Sequence, residues 1–472
     1  MRALSRESAI RRGPVLALIV TAWLGSLGAD MLAGYDYLLW ALVGGTGLVL
    51  IVTFARSSAG GWLSPAAAYL SVFWLFHFGF IFTASFASGT IDELPDWARD
   101  MILAPETTRS AFLAILFMAC VWLGADLSVA GDGAQEDLDS EHRSEPELLR
   151  VGWWVIGIGT GLSVFAIAEL GLGTFFGSYD VFFEQSDIVL AAILVLANGL
   201  FLLLDGGLPV RAVIKTALVT YVPIAALCLV AGSRTAPMFS AVGLAVALRL
   251  RGVRFSAAAL AIAAVGALVT IGVLQQIRER GIALAVSGGS NQVAENPVLS
   301  GVTEMGGSLR AVSASLQWLE GRELFHGATY ALPFIRSAEK LSGIEPLPPK
   351  DDPRFIAEQI SQVYGPIGYS TVAEAYVNFA EWGVAVFALG WGLALGALTR
   401  WTSRQLGLAL MGAVLVPMLI NIRNSFIFVP GWIFIGVAPI FLARQIALRR
   451  KPQVTVAAAS TTPTPCRPPD VE

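Results

Sequence analysis

The chain has 472 residues, of which 55% are hydrophobic and 14% charged, and its net charge is −4. A soluble domain carries about 25% charged residues, so a chain surrounded by water on all sides is excluded. No basic footprint points to nucleic acid, which is not expected as a partner.

A helix crosses the hydrocarbon of a bilayer with about 20 mostly apolar residues. Twelve crossings are predicted: 14–33, 37–54, 65–83, 110–130, 151–171, 188–204, 213–231, 237–250, 256–275, 375–399, 405–421 and 425–443. The expected fold class is therefore all-α, a polytopic integral membrane protein with one large outer-face loop. The first stretch is too long, and too well followed by further spans, to be a cleaved signal peptide. Four spans occupy 1–130, an acidic cytoplasmic linker 131–150, five spans 151–275, the large loop 276–374, three spans 375–443 and a disordered cytoplasmic tail 444–472.

Orientation is read from Lys and Arg in the short loops. One side collects Arg2, Arg6, Arg11, Arg12, Arg56, Arg143, Arg150, Arg211, Lys215, Arg249, Arg251, Arg254, Arg400, Arg404, Arg444, Arg449, Arg450 and Lys451. The opposite short loops hold Arg99, Arg109, Arg234 and Arg423. Odd-numbered spans thus run outward, with both termini cytoplasmic. The three cysteines, Cys120, Cys228 and Cys466, lie in two apolar runs and the tail and do not suggest a disulfide framework.

Polar chemistry concentrates at the outer ends of the spans. Arg234, in Gly232-Ser233-Arg234-Thr235-Ala236-Pro237, stands at a helix start. Free N–H groups there favour an anion, and a guanidinium fork matches phosphate oxygens. Ser233 or Thr235 is expected to cap that helix. Arg278 and Arg280 close the ninth span, and Arg423 fills the tight turn between the eleventh and twelfth. Glu374, Asn378 and Glu381 follow i, i+4, i+7 spacing, which on a continuous helix is one polar face entering the membrane. Thr371-x-x-Glu374 also fits a capping box, a purely structural role for this glutamate. His77 reads as a satisfied interior histidine, His142 as solvated, and His326 as an outer-loop residue able to touch substrate. No metal-ligand cluster, phosphate loop or dinucleotide motif occurs, so neither metal nor cofactor is expected.

Three segments carry a resemblance: Gly232-Ser233-Arg234, Glu304-Met305-Gly306-Gly307-Ser308 with His326-Gly327-Ala328-Thr329-Tyr330, and Gly368-Tyr369-Ser370-Thr371-Val372-Ala373-Glu374-Ala375-Tyr376-Val377-Asn378-Phe379. Over roughly 220–440 the chain resembles the bacterial O-antigen (oligosaccharide repeat-unit) polymerases, the Wzy-type family. It departs at Ala380, where a glycine commonly follows Asn-Phe. The resemblance implies a glycosyltransferase of the bacterial cytoplasmic membrane that polymerises repeat units carried on undecaprenyl diphosphate. Its partners would be that lipid-linked substrate, membrane lipid, a flippase and a chain-length regulator. Catalytic roles would fall to Glu374, Arg234 and Arg423, and substrate contacts to Arg278, Arg280, Glu304, Arg310, His326, Tyr330, Tyr376, Asn378 and Glu381. An O-antigen ligase, for which His326 would be the residue of interest, and a transporter using Glu374, Asn378 and Glu381 as a relay are the alternatives.

Overall fold

The computed structural model describes residues 6–32, 36–58, 60–86, 99–101, 104–129, 145–176, 182, 187–280, 297–365, 367–402 and 406–450. Among them every regular element is helical. Besides isolated turns, the helices are α1 (Arg6–Leu27), α2 (Asp36–Ser57), α3 (Pro65–Ala84) and α4 (Glu106–Val129), then α5 (Pro146–Leu170), α6 (Asp187–Asp205), α7 (Val210–Val230), α8 (Thr235–Leu250) and α9 (Ala257–Arg280). Four shorter helices follow: α10 (Pro297–Met305), α11 (Ser308–Leu319), α12 (Ala328–Leu341) and α13 (Ile356–Tyr364). The chain returns to long helices with α14 (Thr371–Trp401), α15 (Gly407–Asn421) and α16 (Val429–Arg450).

Among the described residues, nine helices are long and apolar enough to cross a membrane, against the twelve expected. α8 and α15 are apolar but have only 16 and 15 residues. α1, whose first turns carry Arg6, Arg11 and Arg12, is not among the nine. The acidic linker lies outside the described residues up to 144, and its last part forms the start of α5. The tail beyond 450 also lies outside them.

α14 packs most extensively on α4, because small residues meet at their crossing. A Cβ on Gly124 would strike the carbonyl of Leu389, and one on Gly392 that of Val121. α3 begins with a Ser64 cap that accepts the Ala67 N–H at 3.3 Å, followed by Pro65 in the first turn. Its aromatic face forms the centre, with Phe73 stacked on Phe117 at 4.9 Å.

The long segment after α9 is built of short helices and turns where described and packs on the long helices. α10 lies against α3 and α9, α11 against α3 and α4, and α12 beside the start of α16. α14 is not one continuous helix. Its backbone breaks at Phe379 (φ −147°, ψ 20°) and Ala380 (φ 54°, ψ −147°). The carbonyls of Val377 and Asn378, released by the break, accept the N–H groups of Phe325 and His326 at 3.0 Å each. Backbone groups at membrane depth need such partners, and the loop before α12 supplies them.

Candidate active site

The N-terminus of α14 is capped by Ser370, whose Oγ accepts the Val372 N–H at 3.2 Å. The Ser370 hydroxyl also meets His77 Nε2 at 2.8 Å, while His77 Nδ1 lies 3.2 Å from the Phe73 carbonyl. A carbonyl only accepts, so Nδ1 carries the proton and Ser370 donates to Nε2. His77 is thus an interior residue that locks the cap.

Because Ser370 is the cap, the capping box expected from Thr371 and Glu374 does not form. The Glu374 carboxylate instead turns to the other side of the site, with the residue 1% exposed. Oε2 accepts the Phe426 N–H at 2.6 Å and Oε1 accepts the Ser425 hydroxyl at 3.3 Å. Ser425 caps the single 3-10 turn Phe426–Phe428 that runs into α16. The carboxylate therefore sits where the turn leading into α16 presents a main-chain N–H and its capping hydroxyl.

A gap of only about 10 Å³, room for a single water, lies beside Glu374 among Thr329, Tyr369, Ser425, Phe355 and Arg354. Tyr330 is close by: its ring stacks on Phe387 at 5.0 Å and meets Phe426 edge-on at 5.2 Å. Its buried hydroxyl makes no hydrogen bond among the described residues. Burial, reinforced by the Glu374 carboxylate, pushes the Tyr330 and Tyr369 phenols well above their usual range. Both remain O–H groups at neutral pH.

Arg354 reached no expectation drawn from the sequence. Nε and Nη2 grip the two oxygens of Asp352 at 2.9 Å each, and Nη1 reaches Glu339 at 2.6 Å. Arg336 adds a bond to Asp352 at 2.7 Å, and the Asp352 side chain has no exposed surface. Hydrogen bonds from Arg354 hold the Asp352 carboxyl below the usual range. The signal in the sequence was faint: Pro348-Pro349-Lys350-Asp351-Asp352-Pro353-Arg354 is a stiff, charged run ahead of a short helix.

The other expected residues separate into distinct contacts. Arg423 lies on the turn between α15 and α16, and its carbonyl accepts the Tyr369 N–H at 3.1 Å, tying that turn to the start of α14. Asn378 donates to Thr329 Oγ1 at 2.6 Å and to the Glu374 carbonyl at 2.7 Å, and accepts the Gly327 N–H at 2.9 Å. Glu381 accepts from Arg109 at 2.9 Å, and the same Nη2 donates to Tyr376 Oη at 2.7 Å. The shared face expected of Glu374, Asn378 and Glu381 holds for Glu374 and Asn378, one turn apart before the break, and is lost for Glu381, which lies beyond Phe379–Ala380. The three turn to α16, to the α12 loop and to α4 respectively.

Arg234 is buried and paired with Glu304 of α10, and it is not among the residues lining the gap beside Glu374. It occupies the cap position of α8 itself, with no side-chain cap from Ser233 or Thr235. Arg310 donates to the Tyr364 carbonyl at 3.2 Å, closing α13. His326 is exposed, in a left-handed conformation (φ 48°) just before Gly327. The side chains of Arg278 and Arg280 lie outside the described residues. Among the described residues no group of three His, Cys, Asp or Glu is placed to hold a metal ion.

A family model described as O-antigen polysaccharide polymerase Wzy matches residues 15–451. The chain belongs to that family. Among curated proteins, Protein CapE of Staphylococcus aureus is 28% identical to this Wzy-family chain over 139 residues, or 29% of the chain and 30% of that protein. The match therefore spans less than a third of that relative. No solved structure matches. The Wzy-family chain is an integral membrane protein, as its apolar helices require.

Proposed function

We propose that this protein is a glycosyltransferase that polymerises oligosaccharide repeat units, linked to a polyprenyl diphosphate, into surface polysaccharide at the outer face of the bacterial cytoplasmic membrane. The observation that carries the reading is the buried Glu374 carboxylate, held by Phe426 and Ser425, in a chain of the Wzy family.

In the reaction an acceptor sugar hydroxyl attacks the anomeric carbon of a donor unit. A new C–O bond forms, the bond from that carbon to the diphosphate breaks, and its electron pair leaves with the diphosphate. The acceptor proton passes to Glu374, a positioned general base. The Tyr330 hydroxyl offers a neutral donor to sugar oxygens. Arg423, on the turn that delivers Phe426, supplies the positive charge that a departing diphosphate needs, without a metal. Arg234 and Glu304 hold α10 against the start of α8, framing the site. Both termini are cytoplasmic in this reading, twelve helices cross the membrane, and a flippase and a chain-length regulator act on the same substrate.

The test is deletion of the gene, followed by analysis of surface polysaccharide with and without the wild-type chain. Single repeat units in place of long chains support a polymerase. Full-length polymer retained on its lipid carrier would contradict it and indicate a ligase.

A further inference from the structure

α12 is amphipathic, and its apolar face is exposed. Phe334, Ile335, Ala338 and Leu341 recur at three- and four-residue spacing, so they share one side of the helix. Phe334 is 62% and Leu341 90% exposed, and the apolar surface continues through exposed Ile344 and Leu347. The opposite side is occupied: Leu332 is buried, Arg336 bonds Asp352, and Glu339 bonds Arg354. Large apolar side chains grouped on one exposed face mark an interaction surface. That surface has no basic cluster, since α12 holds only Arg336, Glu339 and Lys340, and the first two are already paired.

The level of α12 on the bundle says what covers that face. α14 has 31 residues, about 46 Å at 1.5 Å per residue, against a hydrocarbon layer of about 30 Å. Its last turn carries Arg400, and about 20 residues back from there complete a crossing, which ends at the Phe379–Ala380 break. Phe379 and Trp382 are exposed on either side of that break, and aromatic residues collect at the membrane–water boundary. α12 starts at this level, because the Phe325 and His326 N–H groups bond the carbonyls of Val377 and Asn378. It then follows the turn that begins α16. Tyr330 meets Phe426 at 5.2 Å, and Arg336 lies over Phe355, whose ring is 6.4 Å from that of Phe428. Tyr330, one turn before Phe334, stacks on Phe387 and so joins the apolar face of α12 to the apolar surface of a membrane-spanning helix. We infer that α12 lies in the interfacial layer of the bilayer, with Phe334, Ile335 and Leu341 immersed among the lipid chains. The seating is apolar and does not require anionic lipid. It holds the first turn of α12, with Thr329 and Tyr330, beside Glu374 whatever reaction that site performs.

The test uses the full chain in nanodiscs that hold one copy each. Cys120 and Cys228 are buried, so in a Cys466→Ser background a nitroxide is placed at Phe334→Cys, at Leu341→Cys and, as a water-facing reference, at Lys350→Cys, an exposed position. Collisions with lipid-soluble oxygen are expected to exceed those with water-soluble nickel ethylenediaminediacetate at the first two positions, and the order is expected to reverse at the third. The pattern should be the same in dioleoylphosphatidylcholine and in discs enriched in dioleoylphosphatidylglycerol. Nickel collisions in excess at Phe334→Cys and Leu341→Cys would place the face in water and overturn the inference. Few collisions with either reagent would mean that a protein surface covers it, and immersion only with the anionic lipid would mean an electrostatic contact; both contradict it. In parallel, a diazirine dissolved in the bilayer should label 334–347 of the wild-type chain several-fold more than 350–354, and equal labelling would contradict the seating. Photolabelling needs no substitution, so a variant that fails to fold does not blunt the test.

Discussion

Glu374 of α14 accepts the main-chain N–H of Phe426 at 2.6 Å, so a single buried carboxylate joins the start of one long helix to the start of another. The carboxylate is held by a main-chain amide and a hydroxyl. That arrangement fixes the carboxylate's orientation while leaving lone pairs for a substrate hydroxyl. It also ties the chemistry to the aromatic wall that Phe426 shares with Tyr330.

Asn378 should act as the clamp between α14 and the α12 loop. It makes three hydrogen bonds with no exposed surface. Asn378→Leu leaves Thr329 Oγ1 and the Gly327 N–H without that partner, at a cost of about 1–3 kcal/mol for each buried group left unmade. Faster hydrogen exchange at 325–330, with α4 and α6 unchanged, is the expected result.

Ala380 pays for its conformation. Its φ of 54° with ψ of −147° belongs to a region that glycine enters freely and alanine does not. Ala380→Gly, which restores the residue common at this position in the family, should stabilise the break by about 1 kcal/mol and raise the melting temperature in detergent. A lower melting temperature would mean that the break is held by helix propensity rather than strained against it.

The long apolar helices were legible in the sequence because apolar runs are a property of composition, although nine of the described helices, not twelve, are long and apolar enough to cross a membrane. The helices of the segment 297–364 were not, since α10 to α13 are short and amphipathic and form against the bundle. The polar residues of α14 were found by spacing, but extending their common face to Glu381 assumed an unbroken helix. The Ala380 departure was visible, yet its backbone meaning was not. Arg109 and Arg354 were overlooked as site residues because their partners, Glu381 and Asp352 with Glu339, are set by tertiary contact: Arg109 and Glu381 lie on different helices, and Glu339 precedes Arg354 by 15 residues.

Asp352 makes the loop at 349–355 acid-sensitive. Its folded carboxyl is held below the ordinary value of about 4 by Arg354, so it contributes stability above that value. The contribution is lost as pH falls through the lowered folded value. Limited proteolysis of the loop should be flat from pH 8 to about pH 5 and accelerate below about pH 4. Asp352→Asn should remove this acid step.

Arg109 and Glu381 form a pair of unequal exposure, with side chains 35% and 11% exposed. Arg109→Met strands the more buried carboxylate and should cost about 1–3 kcal/mol, discounted from a fully buried pair because the arginine is partly solvated. Arg109→Met with Glu381→Gln should recover part of that loss. A double-mutant cycle read by thermal unfolding checks it.

The central claim is that Glu374 needs its negative charge for chain growth and not for folding. Glu374→Gln keeps an oxygen for the Phe426 N–H and an amide that can face the Ser425 hydroxyl, so the variant should insert and unfold much like the wild type. The decisive measurement is the product ladder from purified wild-type and Glu374→Gln proteins given lipid-linked repeat units in vitro. A loss of about a hundredfold or more in polymer formation, with thermal stability nearly unchanged, is the predicted result for a missing general base. A near-normal ladder from Glu374→Gln would contradict the account and reduce this carboxylate to a tie between two helices.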